Sequence, residues 1–205
     1  NANATAVQNL ARVAIDNHLT LVHVSSDYVF DGTHDEHTED EPFSPLSVYG
    51  QSKAAGDSAA ATVPKHYIAR TSWVVGEGNN FIKIMQKLAN NDVSPTVVND
   101  QIGRLTFTED LAQGIKHLLD TKAPYGTYNI TNSGEPVSWA DVAKEVFEES
   151  DRDTEDVTGV STEEYYKGKE GIAPRPLQST LNIDKIQNAG FTPRPWDEAL
   201  EEYLR

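Results

Sequence analysis

A helix that leads directly into a short buried strand is the feature that most constrains the fold of this chain. Residues 4–16 have the apolar spacing of an amphipathic helix. The apolar face of this predicted helix comprises Ala6, Leu10, Val13 and Ala14. The segment from Leu21 to Val24 then predicts a buried strand. Because buried strands alternate with helices in parallel sheets, we expect an α/β fold.

The remainder of the chain continues this alternation. Further strands are predicted at residues 66–71, 96–98 and 126–130. Helices are predicted to open at Ser44-Pro45, to place Phe81, Ile84, Met85 and Leu88 in the core, and to span residues 109–119 and 196–204. Ser138 and Asp141 indicate one more helix start, an aspartate variant of the capping box.

Residues 31–43 form an acidic segment rich in turn-forming residues, so we predict a solvated loop. His34 and His37 lie in it beside several carboxylates. A metal site is the less favoured alternative there, and we predict none.

The net charge of −15 argues against a nucleic-acid partner, which would need a basic surface. No apolar run approaches the roughly 20 residues of a membrane helix, so we expect no membrane association. The chain has no cysteine, which excludes disulfides and thiolate metal sites and is compatible with the cytoplasm.

Tyr49 and Lys53 lie four residues apart on a predicted helix, so they share a face and are offset by about 6 Å along its axis. An ammonium there favours the phenolate, so the tyrosine can donate a proton near neutral pH. Ser26 ends the first strand 23 residues before Tyr49, and its hydroxyl could bond the same oxygen. These groups suit reduction of a carbonyl to an alcohol. The pair alone is a weak signal, because the same spacing is more often a solvated pair on a helix surface.

Several segments carry a family likeness. They are SSDYVFDG at residues 25–32, SPLSVYGQSK at 44–53, RTSWV at 70–74, GNNF at 78–81, VNDQIG at 98–103, GTYN at 126–129 and PRP at 174–176. Taken together, they resemble the dTDP-4-dehydrorhamnose reductase family within the extended short-chain dehydrogenase/reductases. The resemblance implies the C-terminal part of a Rossmann-like, doubly wound parallel sheet plus a smaller α/β substrate-binding region.

The resemblance also implies a reaction and a set of site residues. The complete enzyme would use NADPH or NADH to reduce dTDP-4-dehydro-β-L-rhamnose to dTDP-L-rhamnose, a nucleotide sugar for cell-wall polysaccharide. The catalytic residues would be Ser26, Tyr49 and Lys53. The cofactor would contact Asn3, Ser25, Tyr49, Lys53 and Ser72. The substrate would contact Tyr28, Trp73, Asn80, Arg104 and Arg175. Core burial is the alternative for Trp73, and surface exposure is the alternative for the two arginines.

The Gly-rich phosphate loop and first strands of the family are absent from this sequence, and Asn3 resembles the asparagine before the catalytic strand. We therefore expect residues 1–122 to form a partial Rossmann-like domain and residues 123–205 to form mainly the substrate-binding region. The chain alone is expected to be inactive and to bind nicotinamide cofactor poorly. Arg104-Leu105-Thr106 departs from many relatives and leaves local substrate contacts open.

Two other functions stay open. One is a nucleotide-sugar epimerase or dehydratase of the same superfamily, which recycles a tightly held NAD. The other is a non-catalytic regulatory subunit of the same fold. A homodimer and a fused upstream domain are both compatible with the sequence. The preference between NADPH and NADH depends on residues that the resemblance places upstream.

Overall fold

The computed structural model describes residues 2–205. Nine strands follow the chain: β1 Leu21–Ser26, β2 His66–Thr71, β3 Val74–Val75, β4 Thr96–Val98, β5 Ile102–Gly103, β6 Thr106–Phe107, β7 Gly126–Asn129, β8 Val137–Ser138 and β9 Thr158–Val160. Eight α-helices accompany them: α1 Thr5–Asp16, α2 Val48–Ala60, α3 Phe81–Asn90, α4 Thr108–Thr121, α5 Trp139–Glu148, α6 Thr162–Tyr166, α7 Asp184–Asn188 and α8 Trp196–Leu204.

The main sheet has the strand order β1-β2-β7, and both pairings are parallel. Its register places Ser26 of β1 beside Thr71 of β2, and Arg70 beside Asn129 of β7. The predicted α/β class with a parallel sheet is therefore confirmed. Strand β7 lies beyond residue 122 and still belongs to this sheet, so the division at residues 122–123 stays a prediction.

Three two-stranded pairings lie outside the main sheet: β3-β6 and β4-β9 are parallel, and β5-β8 is antiparallel. The largest buried core is built largely from the helices and strands of this region, and it includes Ile82, Met85, Leu105, Val146, Phe147 and Leu200. A second core covers one face of the main sheet and includes Tyr67, Leu118, Ile130 and Ile186. The site described below lies where the main sheet meets the first of these cores.

The start of α5 confirms the sequence analysis. Ser138 Oγ accepts a hydrogen bond from Asp141 N, and the Asp141 carboxylate accepts one from Ser138 N. This reciprocal pair satisfies two backbone donors that a helix start leaves unpaired.

Two predicted helix features are wrong in detail. The second helix begins at Val48 and not at Ser44-Pro45, because Ser47 Oγ caps it by accepting a hydrogen bond from Gly50 N. In α3, Met85 is buried as predicted, but Ile84 is 51% exposed and its neighbour Ile82 is buried in its place.

The buried face of α1 also differs from the prediction. The helix buries Val7, Ala11 and Ala14. Leu10 and Val13 are more than half exposed. The observed face keeps Ala14 but is rotated towards Val7 and Ala11, which pack against residues of α2, β2 and the connection between them.

No helix within residues 2–205 is both long enough and apolar enough to cross a bilayer.

Candidate active site

A cavity of about 450 Å³ opens at the carboxyl end of β1. Parallel α/β sheets commonly bind ligands at this end of their strands. The predicted site residues that line the cavity are Ser25, Ser26, Tyr28, Tyr49, Lys53, Ser72 and Trp73. The structure therefore brings together all three predicted catalytic residues, although their roles stay predictions.

Ser26 is held on two sides. Its Oγ accepts a hydrogen bond from Tyr28 N at 3.2 Å and donates one to Asp27 Oδ1 at 2.9 Å. The first bond caps a short 3₁₀ turn, residues 27–29, that ends β1 and turns Tyr28 into the cavity. The second bond occupies the only hydrogen that the hydroxyl can donate.

Tyr49 and Lys53 differ in exposure although they share one face of α2. Tyr49 is 48% exposed, and the edge of its ring meets the Tyr28 ring at a centroid distance of 5.5 Å. Lys53 is buried, and its Nζ donates a hydrogen bond of 2.6 Å to the Val24 carbonyl of β1. Burial lowers the pKa of Lys53, and the nearby Asp57 opposes that shift. The tyrosine thus faces the open cavity, and the lysine ties its helix to the sheet.

A buried ion pair fixes α2 against β2 one turn beyond Lys53. Arg70 Nε lies 3.0 Å from Asp57 Oδ2, and both side chains are almost fully buried. His23 Nε2 lies 3.3 Å from the other carboxylate oxygen of Asp57. Burial alone would raise the pKa of Asp57, but His23 and the Arg70 guanidinium bring it below its ordinary value. The carboxylate therefore remains ionised inside the protein.

Trp73 forms a wall of the cavity. Its φ of 47° lies in the left-handed region, which is uncommon for a bulky residue and is often found at functional sites. Its indole stacks on Trp139 with ring centroids 3.9 Å apart and planes inclined by 16°. The backbone of Gly103 packs so closely that a Cβ there would lie 2.9 Å from the Trp73 ring. Trp73 is half-buried, packs against the first core and also lines the cavity, so its contact with substrate stays a prediction.

Trp139 also lines a second cavity, of about 430 Å³. The walls of this second cavity are largely apolar and aromatic, and they include Phe81, Met85, Val97, Tyr165 and Tyr166. Gln101 and Arg175 add polar groups. Arg175 is exposed, and Lys167 and Lys169 precede it in the same segment of an otherwise acidic protein. The two cavities are therefore adjacent, and one of them carries positive charge.

The other predicted substrate residues line neither cavity. Asn80 caps α3 and donates hydrogen bonds to Gly76 O and Tyr203 Oη. Arg104 donates from Nε to Gly134 O at 2.7 Å and from Nη1 to Leu181 O at 3.0 Å. These polar groups hold the fold together in this structure. Their contact with substrate stays a prediction.

Asn3, a predicted cofactor residue, donates from Nδ2 to Ser52 Oγ at 3.1 Å. Its backbone also packs tightly on α2, because a Cβ on Gly56 would lie 2.3 Å from Asn3 O. Asn3 therefore joins the start of α1 to α2 and lies outside the cavity lining. Its contact with cofactor stays a prediction.

The prediction that residues 31–43 form a solvated loop is wrong in part, because one of the two histidines of the loop is buried. His37 is fully buried and stacks on Phe30 at a ring distance of 4.8 Å. Its Nδ1 lies 2.8 Å from Glu41 Oε2, and its Nε2 lies 3.1 Å from Gln178 O. The loop is thereby fastened to the segment that follows Arg175. Within residues 2–205, no three His, Asp or Glu side chains are grouped so as to hold a metal ion.

Two residues of the site were not singled out from the sequence. Trp139 was considered only as part of a helix start, and its partner Trp73 lies 66 positions away in the chain. Asp27 lies inside the SSDYVFDG segment but was given no role. It lines the first cavity and is buried. The sequence signal that could have singled out Asp27 is its position as an acidic residue directly after a predicted strand.

The first cavity also has polar groups that a ligand could use. Thr71 Oγ1, at the end of β2, is buried and has no hydrogen-bond partner within residues 2–205. Ser25 and Ser72 lie beside it at the same edge of the sheet. Buried hydroxyls are normally hydrogen-bonded, so the unpartnered hydroxyls of Thr71 and Ser25 fit a polar ligand such as the ribose and amide of a nicotinamide cofactor. Ser72 Oγ already donates a hydrogen bond to Arg104 O at 3.1 Å.

Comparisons with known proteins agree with this geometry. The profile of the family described as the RmlD substrate binding domain matches residues 1–205. The spore coat polysaccharide biosynthesis protein SpsK of Bacillus subtilis is 43% identical over 187 residues, which is 90% of this chain and 63% of that protein. The dTDP-4-dehydrorhamnose reductase of Aggregatibacter actinomycetemcomitans is 41% identical over 97% of this chain and 71% of that protein.

Solved structures give the same result. The dTDP-4-dehydrorhamnose reductase of Bacillus anthracis, in complex with NADP, superposes with a TM-score of 0.89 at 36% identity. The match covers 98% of this chain and 71% of that one. A dTDP-glucose 4,6-dehydratase from the same organism shares the fold, with a TM-score of 0.81 at 20% identity. The chain spans 62–71% of the length of three curated relatives, namely the two proteins above and the dTDP-4-dehydrorhamnose reductase of Mycolicibacterium smegmatis.

Proposed function

Because the chain belongs to the RmlD substrate-binding-domain family, we propose that the protein containing it is an NAD(P)H-dependent dTDP-4-dehydrorhamnose reductase. It reduces the 4-keto group of dTDP-4-dehydro-β-L-rhamnose and releases dTDP-L-rhamnose. The observation that carries the proposal is the meeting of Ser26, Tyr49 and Lys53 at one cavity. The similarity to reductases at 35–41% identity supports it.

A nicotinamide cofactor, when bound, would supply the hydride that the reduction needs. Ser25, Thr71 and Ser72 would hold its polar groups, since they line the cavity beside the catalytic side chains. Asn3, Tyr49 and Lys53 are the other cofactor residues that we propose. NADPH and NADH both remain candidates for this role.

Tyr49 donates the proton that completes the reduction. Its half-exposed hydroxyl reaches the cavity, where it can meet the keto oxygen as negative charge develops there. The Lys53 ammonium on the same helix face stabilises the phenolate that Tyr49 becomes. Ser26, Tyr28 and Trp73 line the same cavity and would contact the sugar.

The nucleotide end of the substrate occupies the second cavity. Its aromatic walls suit a planar base, and Arg175 can pair with the diphosphate. Trp139 lines both cavities, so a ligand that fills the second one can extend its sugar past this residue towards Tyr49. We also keep Asn80 and Arg104 as substrate residues, which would require them to exchange their present internal hydrogen bonds.

The test of this function is Tyr49→Phe in the full-length protein. Proton transfer by a placed side chain is worth about 10²–10⁴-fold, so kcat for NADPH oxidation with the keto sugar should fall by that factor. The melting temperature should stay unchanged, because Tyr49 makes no buried hydrogen bond that the phenyl ring would lose. Tyr125→Phe is the matched control: Tyr125 is also 48% exposed but lies outside both cavities. Turnover near that of the control would contradict the assignment.

Two alternatives are less well supported. Dehydratases and epimerases of the same fold are only 20–21% identical to this chain, and that similarity concerns the fold alone. Net consumption of NADPH separates a reductase from enzymes that recycle their cofactor. A non-catalytic subunit would have no need of Ser26, Tyr49 and Lys53 around one cavity. We propose a cytoplasmic enzyme, and a homodimer or an additional domain are compatible with it.

A further inference from the structure

Asp27 is a buried carboxyl group in the wall of the first cavity. It lies between Ser26 and Tyr28 and is 3% exposed. Its Oδ1 accepts the hydrogen bond from Ser26 Oγ, and its Oδ2 has no hydrogen-bond partner within residues 2–205. A buried carboxylate oxygen without a partner is costly, so the protonation state of this group bears on the site.

The hydrogen bonds of Ser26 depend on that protonation state. An ionised carboxylate only accepts hydrogen bonds, so ionised Asp27 takes the single hydrogen of the Ser26 hydroxyl. Ser26 then has no hydrogen for a ligand. A protonated Asp27 can instead donate to Ser26 Oγ, whose two lone pairs accept this bond together with the one from Tyr28 N. The Ser26 hydrogen is then free to point into the cavity.

We propose that Asp27 is a positioning residue that decides whether Ser26 donates its hydrogen to the protein or to an acceptor oxygen of the ligand. Protonated Asp27 releases the Ser26 hydrogen towards a carbonyl oxygen, and ionised Asp27 retains it. The inference rests on the proposed function only in naming that carbonyl as the keto group of the substrate.

The surroundings of Asp27 place this change within an accessible pH range. Burial raises the pKa of Asp27 to about 6, and the Ser179 and Ser26 side chains and the charge of His37 limit the rise. His37 is in the 31–43 loop, and Ser179 follows Arg175 in the C-terminal segment. From α2, Tyr49 and Lys53 line the same cavity. The fraction of molecules with a free Ser26 hydrogen therefore falls as the pH rises through this range.

A carboxyl titration tests the link between the two side chains without any catalysis. In the full-length protein with ¹³C-labelled aspartate carboxyls, the Asp27 signal is identified by its loss in Asp27→Asn, and its midpoint should lie near pH 6. Ser26→Ala should raise that midpoint, because the lost hydrogen bond favours the ionised form. The control Ser58→Ala should leave it unchanged, since Ser58 bonds only within α2. A midpoint that does not move in Ser26→Ala overturns the proposal.

A pH–rate profile tests the consequence for the ligand. For reduction of the dTDP-4-keto sugar, kcat/KM of the wild type should fall at least about tenfold as the pH rises through the Asp27 transition, because one donor to the keto oxygen is lost. Asp27→Asn should abolish the fall, because its amide can still donate to Ser26 and does not titrate. Ser26→Ala should also abolish it.

The remaining outcomes are equally decisive. A fall that persists in Asp27→Asn overturns the proposal, because another group then causes it. A fall that persists in Ser26→Ala shows that Asp27 acts on the ligand directly, and this also overturns a positioning role. If the wild type reduces no keto sugar, the proposed function fails, but the carboxyl titration still decides whether Asp27 and Ser26 are coupled.

Discussion

The buried Asp57–Arg70 pair allows a stability prediction whose size follows from the structure. Arg70 is 3% exposed, and Asp57 is 1% exposed. Arg70→Met keeps most of the side-chain volume but leaves the Asp57 carboxylate buried without its guanidinium partner. His23 lies 3.3 Å away, and Ser25 and the Lys53 ammonium are the other groups near it. It also removes the hydrogen bond of 2.9 Å from Nη1 to Glu39 O. Breaking a buried pair in this way costs about 3–5 kcal/mol, a large fraction of the roughly 5–15 kcal/mol that stabilises a typical domain.

The pH dependence of this loss has a definite sign. In the wild type the pKa of Asp57 lies below its ordinary value, so the stabilisation is present at neutral pH and is lost as the pH falls through the folded-state pKa. In Arg70→Met, burial without the guanidinium should raise that pKa. The carboxyl group then becomes protonated at a higher pH, and the deficit relative to the wild type should shrink as the pH is lowered from 7 towards 4.

Urea unfolding of the intact protein at several pH values measures both effects. The double variant Asp57→Asn/Arg70→Met should lose less than the sum of the two single variants, because it removes both charges of the pair and leaves neither one unpaired. Lys116→Met removes an exposed pair with Asp120 and should be indistinguishable from the wild type. A loss below about 1 kcal/mol for Arg70→Met at pH 7, or strict additivity in the double variant, would refute the reasoning.

Three further predictions concern the site. Arg175→Ala should weaken dTDP binding about tenfold in calorimetry and leave NADPH affinity unchanged, because a charge-assisted bond contributes roughly 1.5–3 kcal/mol; equal dTDP affinity would make Arg175 a surface residue only. Lys53→Met should weaken cofactor binding and move the basic limb of the pH–rate profile to higher pH, and an unmoved limb would mean that the lysine is only structural. Gly50→Ala should destabilise the protein by about 1–3 kcal/mol in thermal unfolding, because its Cβ would lie 2.1 Å from Tyr28 O; a melting temperature equal to that of the exposed-site control Gln51→Ala would contradict this.

Features that depend on local sequence were predictable. The positions of strands β1 and β2 and the capping box of α5 follow from residues within a few positions of one another. The predicted burial of Leu21 to Val24 is wrong, because these residues are only partly buried and Val24 is 43% exposed. The face of α1 was not predictable, because alanine and larger apolar residues surround the helix and the choice depends on what packs against it. The capping role of Ser47 was not predicted, because Ser44 and Pro45 come first in the chain and also suit a helix start.

Contacts between distant parts of the chain were the features that the sequence analysis could not predict. His37 is buried because it meets Gln178, 141 positions away, and no pattern within the 31–43 loop reveals this. The predicted catalytic residues came from the Tyr49–Lys53 spacing and from a family resemblance, and the structure places them together. Asp27 was hidden for a different reason. Its significance depends on burial and on an unpartnered oxygen, which are properties of the folded protein.

The stacked indoles of Trp73 and Trp139 have an optical consequence. The chain contains three tryptophans, and the third, Trp196, is buried in the first core and is not part of the stack. The excited states of two indoles with centroids 3.9 Å apart couple. The coupling gives an exciton couplet in the circular dichroism spectrum, a pair of bands of opposite sign that a lone indole lacks. Since Trp139 borders both cavities, a ligand that shifts either ring changes this signal. The protein thus contains its own spectroscopic reporter of ligand binding, readable without a label or a coupled reaction.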